Sequence, residues 1–177
     1  MLRLFAALAL PDDVAAGLAA LQRGLAGARW SPRENLHITL CFYGDVDERA
    51  AEELDSELSA IPAAPFALAL KGAGFFGKAE PHALYVGVAE NAHLRALSSA
   101  CERAARRAGV KTEGRKYTPH VTLAYLSHAE FGEVTAFIQT HALFESRAWQ
   151  ADSFGLYSSH TRKSAPSLYR LEADYAL

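Results

Sequence analysis

The chain is poor in cysteine, has no long apolar run and carries almost no net charge. Its two cysteines, Cys41 and Cys101, offer neither a disulfide framework nor a zinc knuckle, and that usage suits a reducing compartment, the cytoplasm. No window holds the ~18 to 20 uninterrupted apolar residues of a membrane span, and the opening "MLRLFAALALPDD" breaks at Pro11 before a signal peptide's cleavage region develops. No membrane partner is therefore expected. A formal charge of −2 gives no global field that would hold the protein on nucleic acid, so any RNA contact must be local. One local excess exists: Arg103, Arg106, Arg107, Lys111, Arg115 and Lys116 face only Glu113 between positions 103 and 116. These cations fit either a solvated helix end or a phosphate-attracting patch. No linker, low-complexity run or charge block divides the chain, so residues 1–177 read as a single unit.

Half of the 177 residues are apolar, enough for one sizeable core or two small lobes. Residues 2 to 10 read as a buried strand, and Pro11 with Asp12 and Asp13 opens a helix carrying Val14, Leu18, Leu21 and Leu25 at helical spacing. A strand from about Leu36 to Tyr43 follows, and Asp47 then caps a helix bearing Leu54 and Leu58. Phe66 to Gly74 and residues 82 to 89 suggest a strand pair. Asn91 caps a third helix, whose buried stripe is Leu94, Leu97, Cys101, Ala104, Ala105 and Ala108 and whose stop is Gly109. The strand "YTPHVTLAYL" comes next, and Ser127 and Glu130 have capping-box spacing before a helix with Phe131, Val134, Phe137 and Ile138. Two last strands fit residues 147 to 158 and 167 to 175. The order is α+β: two similar lobes, each an antiparallel-rich sheet with helices outside, and a central cleft between the sheets.

The tetrapeptide "HITL" at 37 to 40 returns as "HVTL" at 120 to 123. Side chains two apart share one face of a strand, so His37 projects with Thr39 and His120 with Thr122. Strict alternation sends Ile38, Leu40 and Phe42 to the apolar layer and puts Cys41 on the His37 face, where it reads as a cleft-wall or packing residue. If a rough two-fold axis relates the lobes, both polar pairs line one cleft. Packing alone does not explain matched polar pairs in two apolar strands. Imidazoles titrate near ~6.5, so such a pair can hold one base and one acid at once. Displacement at phosphorus uses both, with the two hydroxyls hydrogen-bonded to the non-bridging oxygens. No carboxylate cluster suggests a metal, and no cofactor is expected.

These motifs, with "LRLFAALALP", "RWSPRENLHITLCFYGDVD", "YTPHVTLAYL" and "FGLYSSH" followed by "LYRLEADYAL", resemble the two-histidine phosphoesterases, and within them the RNA 2',3'-cyclic phosphodiesterases, also called 2'-5' RNA ligases. The resemblance implies a bilobal fold with both motifs in the cleft, and a monomer is expected. It implies metal-independent hydrolysis of a terminal 2',3'-cyclic phosphate, on RNA ends or small nucleotides, to a 2'-phosphate. His37 corresponds to the proton donor to the leaving 3'-oxygen, His120 to the base on water, and Thr39 and Thr122 to the phosphate clamp. The same geometry with a 5'-hydroxyl in place of water joins it to the cyclic phosphate as a 2'-5' linkage. One departure stands out. Many members of the family carry Arg five residues after the second histidine, where this chain has Tyr125. Lys116, Arg162 or Lys163 could supply the missing cation. An RNA-end binding protein that keeps the cleft without turnover is the alternative reading. Trp30, Phe42, Tyr43 and Tyr157 are candidates for stacking on a base. His82, His93, His128, His141 and His160 have no matching partners and are not expected to be catalytic.

Overall fold

The computed structural model describes residues 1–114, 116–162 and 165–177. Its strands are β1 (Leu2–Ala9), β2 (Ala28–Trp30), β3 (His37–Val46), β4 (Phe66–Leu68), β5 (Leu70–Phe76), β6 (Ala83–Val88), β7 (His120–Leu126), β8 (Trp149–Ala151), β9 (Ser153–Arg162) and β10 (Ala165–Ala176). Its α-helices are α1 (Asp12–Ala19), α2 (Glu48–Ser59), α3 (Ala92–Arg107) and α4 (Phe131–His141). The strands form two four-stranded antiparallel sheets, in the orders β10-β9-β1-β3 and β2-β7-β6-β5, and a short ribbon of β4 with β8.

β1 is paired along both edges as an inner strand of the first sheet, and Leu4 through Leu8 are buried, with Phe5 covered by the rings of His37, Phe42, Tyr157 and Tyr169. The strand, helix and HxTL-strand unit recurs as expected: β1 pairs with β3 around α1, and β6 pairs with β7 around α3. The lobes are nevertheless interleaved along the chain. The first sheet takes its strands from both ends of the sequence, and β2 leaves the first half to pair with β7 in the second sheet. In turn α3 packs on β3 of the first sheet, beside α2.

Local chemistry explains the starts of α2 and α3 and the end of α3. The Asp47 carboxylate accepts from the Ala50 amide at 2.9 Å, and the Asn91 side chain from the Leu94 amide at 2.9 Å, each satisfying an orphan donor of the first helical turn. The whole predicted stripe of α3 is buried. Gly109, at φ +71°, follows it where a left-handed residue ends a helix, and the Val110 amide reaches back to the Ala105 carbonyl.

Three expectations are corrected. α1 stops at Ala19, so Leu21 and Leu25 lie in the connection that carries the chain across to β2. There Gly27, at φ +75°, sits against Ser127, whose carbonyl would clash with any Cβ. Ser127 and Glu130 form no capping box: Glu130 is itself the N-cap of α4, and its side chain makes no capping hydrogen bond. The runs 66–74 and 147–158 each split, because β4 and β8 pair with one another while β5 and β9 belong to different sheets.

Candidate active site

In both HxT strands a β-bulge follows the threonine. Along β1 and β3, Ala7 faces Thr39 and Ala6 faces Cys41, leaving Leu40 without a partner. Along β6 and β7, Tyr85 faces Thr122 and Leu84 faces Ala124, leaving Leu123 without one. An extra residue flips the side-chain phase beyond it. Cys41 is therefore buried rather than on the His37 face, and Phe42 turns into the cleft, 38% exposed. Tyr125 does the same in the second motif, 47% exposed. The repeated unit is thus six residues, "HITLCF" and "HVTLAY", with histidine, threonine and an aromatic ring on one face.

The bulge of β3 is tied from behind. The buried Ser98 hydroxyl of α3 donates to the Leu40 carbonyl at 2.7 Å, and the Tyr117 hydroxyl donates to the Thr39 carbonyl at 3.0 Å. In β7 the Leu123 carbonyl accepts from the Gln22 side chain at 3.0 Å and from the Ser31 amide at 2.8 Å. Ser98→Ala would leave a buried carbonyl short of a partner and is expected to cost about 1–3 kcal/mol, read from urea denaturation midpoints. A change under about 0.5 kcal/mol would show that the bulge does not depend on this bond.

Both histidines are oriented in the same way. His37 Nδ1 lies 2.7 Å from the Asn35 carbonyl, and His120 Nδ1 lies 2.6 Å from the Thr118 carbonyl, each two residues back. A carbonyl oxygen only accepts, so Nδ1 carries the hydrogen in both rings and Nε2 is left with its lone pair. His37 Nε2 meets the Thr39 hydroxyl at 3.1 Å. Aromatic rings bracket each imidazole: Phe5 and Tyr169 lie 5.0 and 5.3 Å from His37, Phe76 and Tyr85 lie 4.7 and 5.4 Å from His120. Burial lowers the pKa of both. His37 is brought down to about 4, chiefly by desolvation, with its Asn35 hydrogen bond acting the other way and the charge of His120 adding to the fall. His120 is lowered from 6.5 by desolvation, opposed by its bond to Thr118.

His37, Thr39, His120 and Thr122 all line one cleft of about 630 Å³ between the sheets. A smaller space of about 430 Å³ adjoins it, sharing Thr39, Phe42, Phe76, His82 and His120 and extending to Lys116 and Tyr117. Of the other expected residues, Trp30 and Phe42 line the cleft. Tyr43 is buried, and Tyr157 stacks on Phe5 behind His37. Among the expected cations Lys116 borders the adjoining space, Arg162 turns to the Pro166 carbonyl at 2.8 Å, and Lys163 lies outside the described residues. The basic run divides: Arg107 pairs with Glu57 and, with Arg103, borders a separate groove beside Phe66, while Arg115 lies outside the described residues. His82, set aside on sequence grounds, stands in the cleft wall beside Phe76. Arg29 and Arg3 also reach the cleft. No group of three or more His, Cys, Asp or Glu among the described residues could hold a metal ion.

Two facing sheets that each present a histidine and threonine pair to one cleft define a two-histidine phosphoesterase. The chain belongs to the 2'-5' RNA ligase superfamily, whose family model matches residues 10–163. It is 38% identical over 98 residues to the RNA 2',3'-cyclic phosphodiesterase of Aeropyrum pernix, a match spanning 54% of this chain and 56% of that protein. It is 30% identical over 141 residues to the RNA 2',3'-cyclic phosphodiesterase of Bacillus subtilis, covering 77% of this chain and 74% of the other. The fold matches that of E. coli LigT complexed with 3'-AMP, with a TM-score of 0.82 at 23% identity over 99% of this chain and 98% of LigT.

Proposed function

We propose that this protein hydrolyses the terminal 2',3'-cyclic phosphate of RNA to a 2'-phosphate without a metal. The observation that carries this reading is the paired pinning of Nδ1 by backbone carbonyls, which leaves two Nε2 atoms at the cleft, each with a threonine hydroxyl on its strand. His120 Nε2 takes a proton from the attacking water as the new P–O bond forms. His37 Nε2 gives a proton to the 3'-oxygen as its bond to phosphorus breaks, so one proton enters and one leaves. The Thr39 and Thr122 hydroxyls donate to the non-bridging oxygens, whose charge grows in the transition state. Exchanging water for a 5'-hydroxyl as the nucleophile, with the same P–O3' bond breaking and the same proton transfers, gives 2'-5' ligation in the same cleft. We read the chain as one bilobal unit acting as a monomer, and its two free, buried thiols suit the cytoplasm.

The test is incubation of EDTA-treated protein with a short RNA ending in 2',3'-cyclic phosphate. Consumption of the cyclic end supports the proposal. Saturable binding without consumption would turn the reading to an RNA-end binding protein, and restoration of turnover only by added metal ions would overturn the metal-free mechanism.

The lowered pKa values predict an acidic optimum for kcat/KM, which reports the free enzyme. Activity needs one imidazolium and one neutral imidazole. With His37 at about 4 and His120 less strongly lowered from 6.5, the prevailing singly protonated form holds its proton on His120. The productive form, with the proton on His37, is a fixed minor fraction of it, so activity peaks between the two values and falls about tenfold per pH unit above pH ~6.5. A bound phosphate anion raises both values, so the kcat profile lies at higher pH than that of kcat/KM. Coincident profiles, or kcat/KM flat from pH 6 to 9, would contradict this.

A further inference from the structure

The cation that the sequence lacks at position 125 has a counterpart one strand away. β2 pairs with β7 so that Arg29 stands directly opposite Tyr125, and residues opposed across an antiparallel pair share a face. The Arg29 guanidinium lies over the Tyr125 ring, 5.4 Å from its centroid, at the cleft. Its charge also reaches Tyr169, the ring packed edge-on against His37. The first motif has a similar pair, with Arg3 over Phe42 at 5.4 Å. The two arginines are not equivalent, however. Arg3 pairs with Asp45 at 3.8 Å, whereas Arg29 has no carboxylate partner among the described residues. A guanidinium steered onto an aromatic face and left without an anion is prepared to receive one.

Position 125 lies beyond the bulge, opposite Ala83 where Thr122 is opposite Tyr85, so the two are only two ladder steps apart, roughly 7 Å along the strand at ~3.3 Å per residue. That places Arg29 beside, rather than on, the phosphate held by the two threonines. Resting on the proposed function, we propose that Arg29 binds the neighbouring phosphodiester of a polynucleotide, so that the site favours an RNA chain end over a nucleoside 2',3'-cyclic monophosphate. Tyr125 takes part as the platform that orients the guanidinium, in place of a cation of its own.

The proposal is tested by equilibrium binding and by turnover, using adenosine 2',3'-cyclic monophosphate and a diadenylate ending in 2',3'-cyclic phosphate. Arg29→Ala is expected to weaken the dinucleotide by about tenfold, as loss of one charge-assisted phosphate contact does, and to change the mononucleotide by less than twofold. The dependence of log K on log salt for the dinucleotide should flatten by about 0.7, the value for one phosphate contact on a single strand. Arg29→Lys should retain most of that slope. An equal loss on both probes, or an unchanged salt slope, would overturn the proposal. Failure of the wild-type protein to turn over either probe would count against the proposed function alone, because the binding arm still reads Arg29.

Discussion

His120→Ala is expected to lower kcat on a 2',3'-cyclic phosphate end by about 10³- to 10⁴-fold while KM stays within a few-fold. The imidazole is half-buried at the start of β7, and among the described residues its hydrogen bond is to the Thr118 carbonyl. Removing it therefore takes away a proton acceptor without opening the core. His37→Ala should cost a similar factor. The double variant should be little worse than either single one, because acid and base act on one transition state and their effects do not multiply. Rates from chromatographic assay, with circular dichroism melts to confirm folding, measure this. A loss below tenfold for either single variant would remove that histidine from the proton transfers.

Phe5→Ala joins stability to chemistry. Phe5 is 2% exposed and packs against His37, Phe42, Tyr157 and Tyr169 at once, with centroid separations of 5.0 to 5.9 Å. Truncation of so buried a ring is expected to cost about 3–5 kcal/mol, read from urea denaturation. Because desolvation is the main cause of the low His37 value, the water admitted should carry its pKa from about 4 back towards 6.5. NMR titration of the imidazole ring protons reads this directly. Phe5→Leu, which fills more of the space, should show a smaller change in both quantities. A His37 pKa that stays near 4 in both variants would mean that another wall excludes the solvent.

The doubled tetrapeptide was the most legible part of the site, since two-residue spacing on a strand puts His37 with Thr39 and His120 with Thr122 on one side whatever the lobes do. The phase beyond them was not anticipated. Leu40–Cys41 and Leu123–Ala124 are adjacent apolar pairs that break the alternation, and each marks a bulge. Strict alternation consequently placed Phe42 inward and Cys41 outward, the reverse of the structure. The elements themselves were readable where a helical stripe was long, as in α3, or where a cap was local, as at Asp47 and Asn91. Interleaving of the lobes was not, because nothing local to "ARW" says that a three-residue strand will pair with β7. Arg29 is invisible in the sequence for that reason: its proximity to Tyr125 exists only once that pairing forms. His82 has no matching partner in the sequence, yet the β5 to β6 connection brings it to the cleft beside Phe76.

The central claim is that two opposed Nε2 atoms direct water to one side of phosphorus and a proton to one leaving oxygen. The most direct measurement is the identity of the product formed by EDTA-treated wild-type protein from RNA ending in 2',3'-cyclic phosphate, resolved by phosphorus NMR as 2'- or 3'-phosphate. A 2'-phosphate alone, absent with His37→Ala and His120→Ala, is the expected result. A 3'-phosphate, or a mixture of the two, would contradict it.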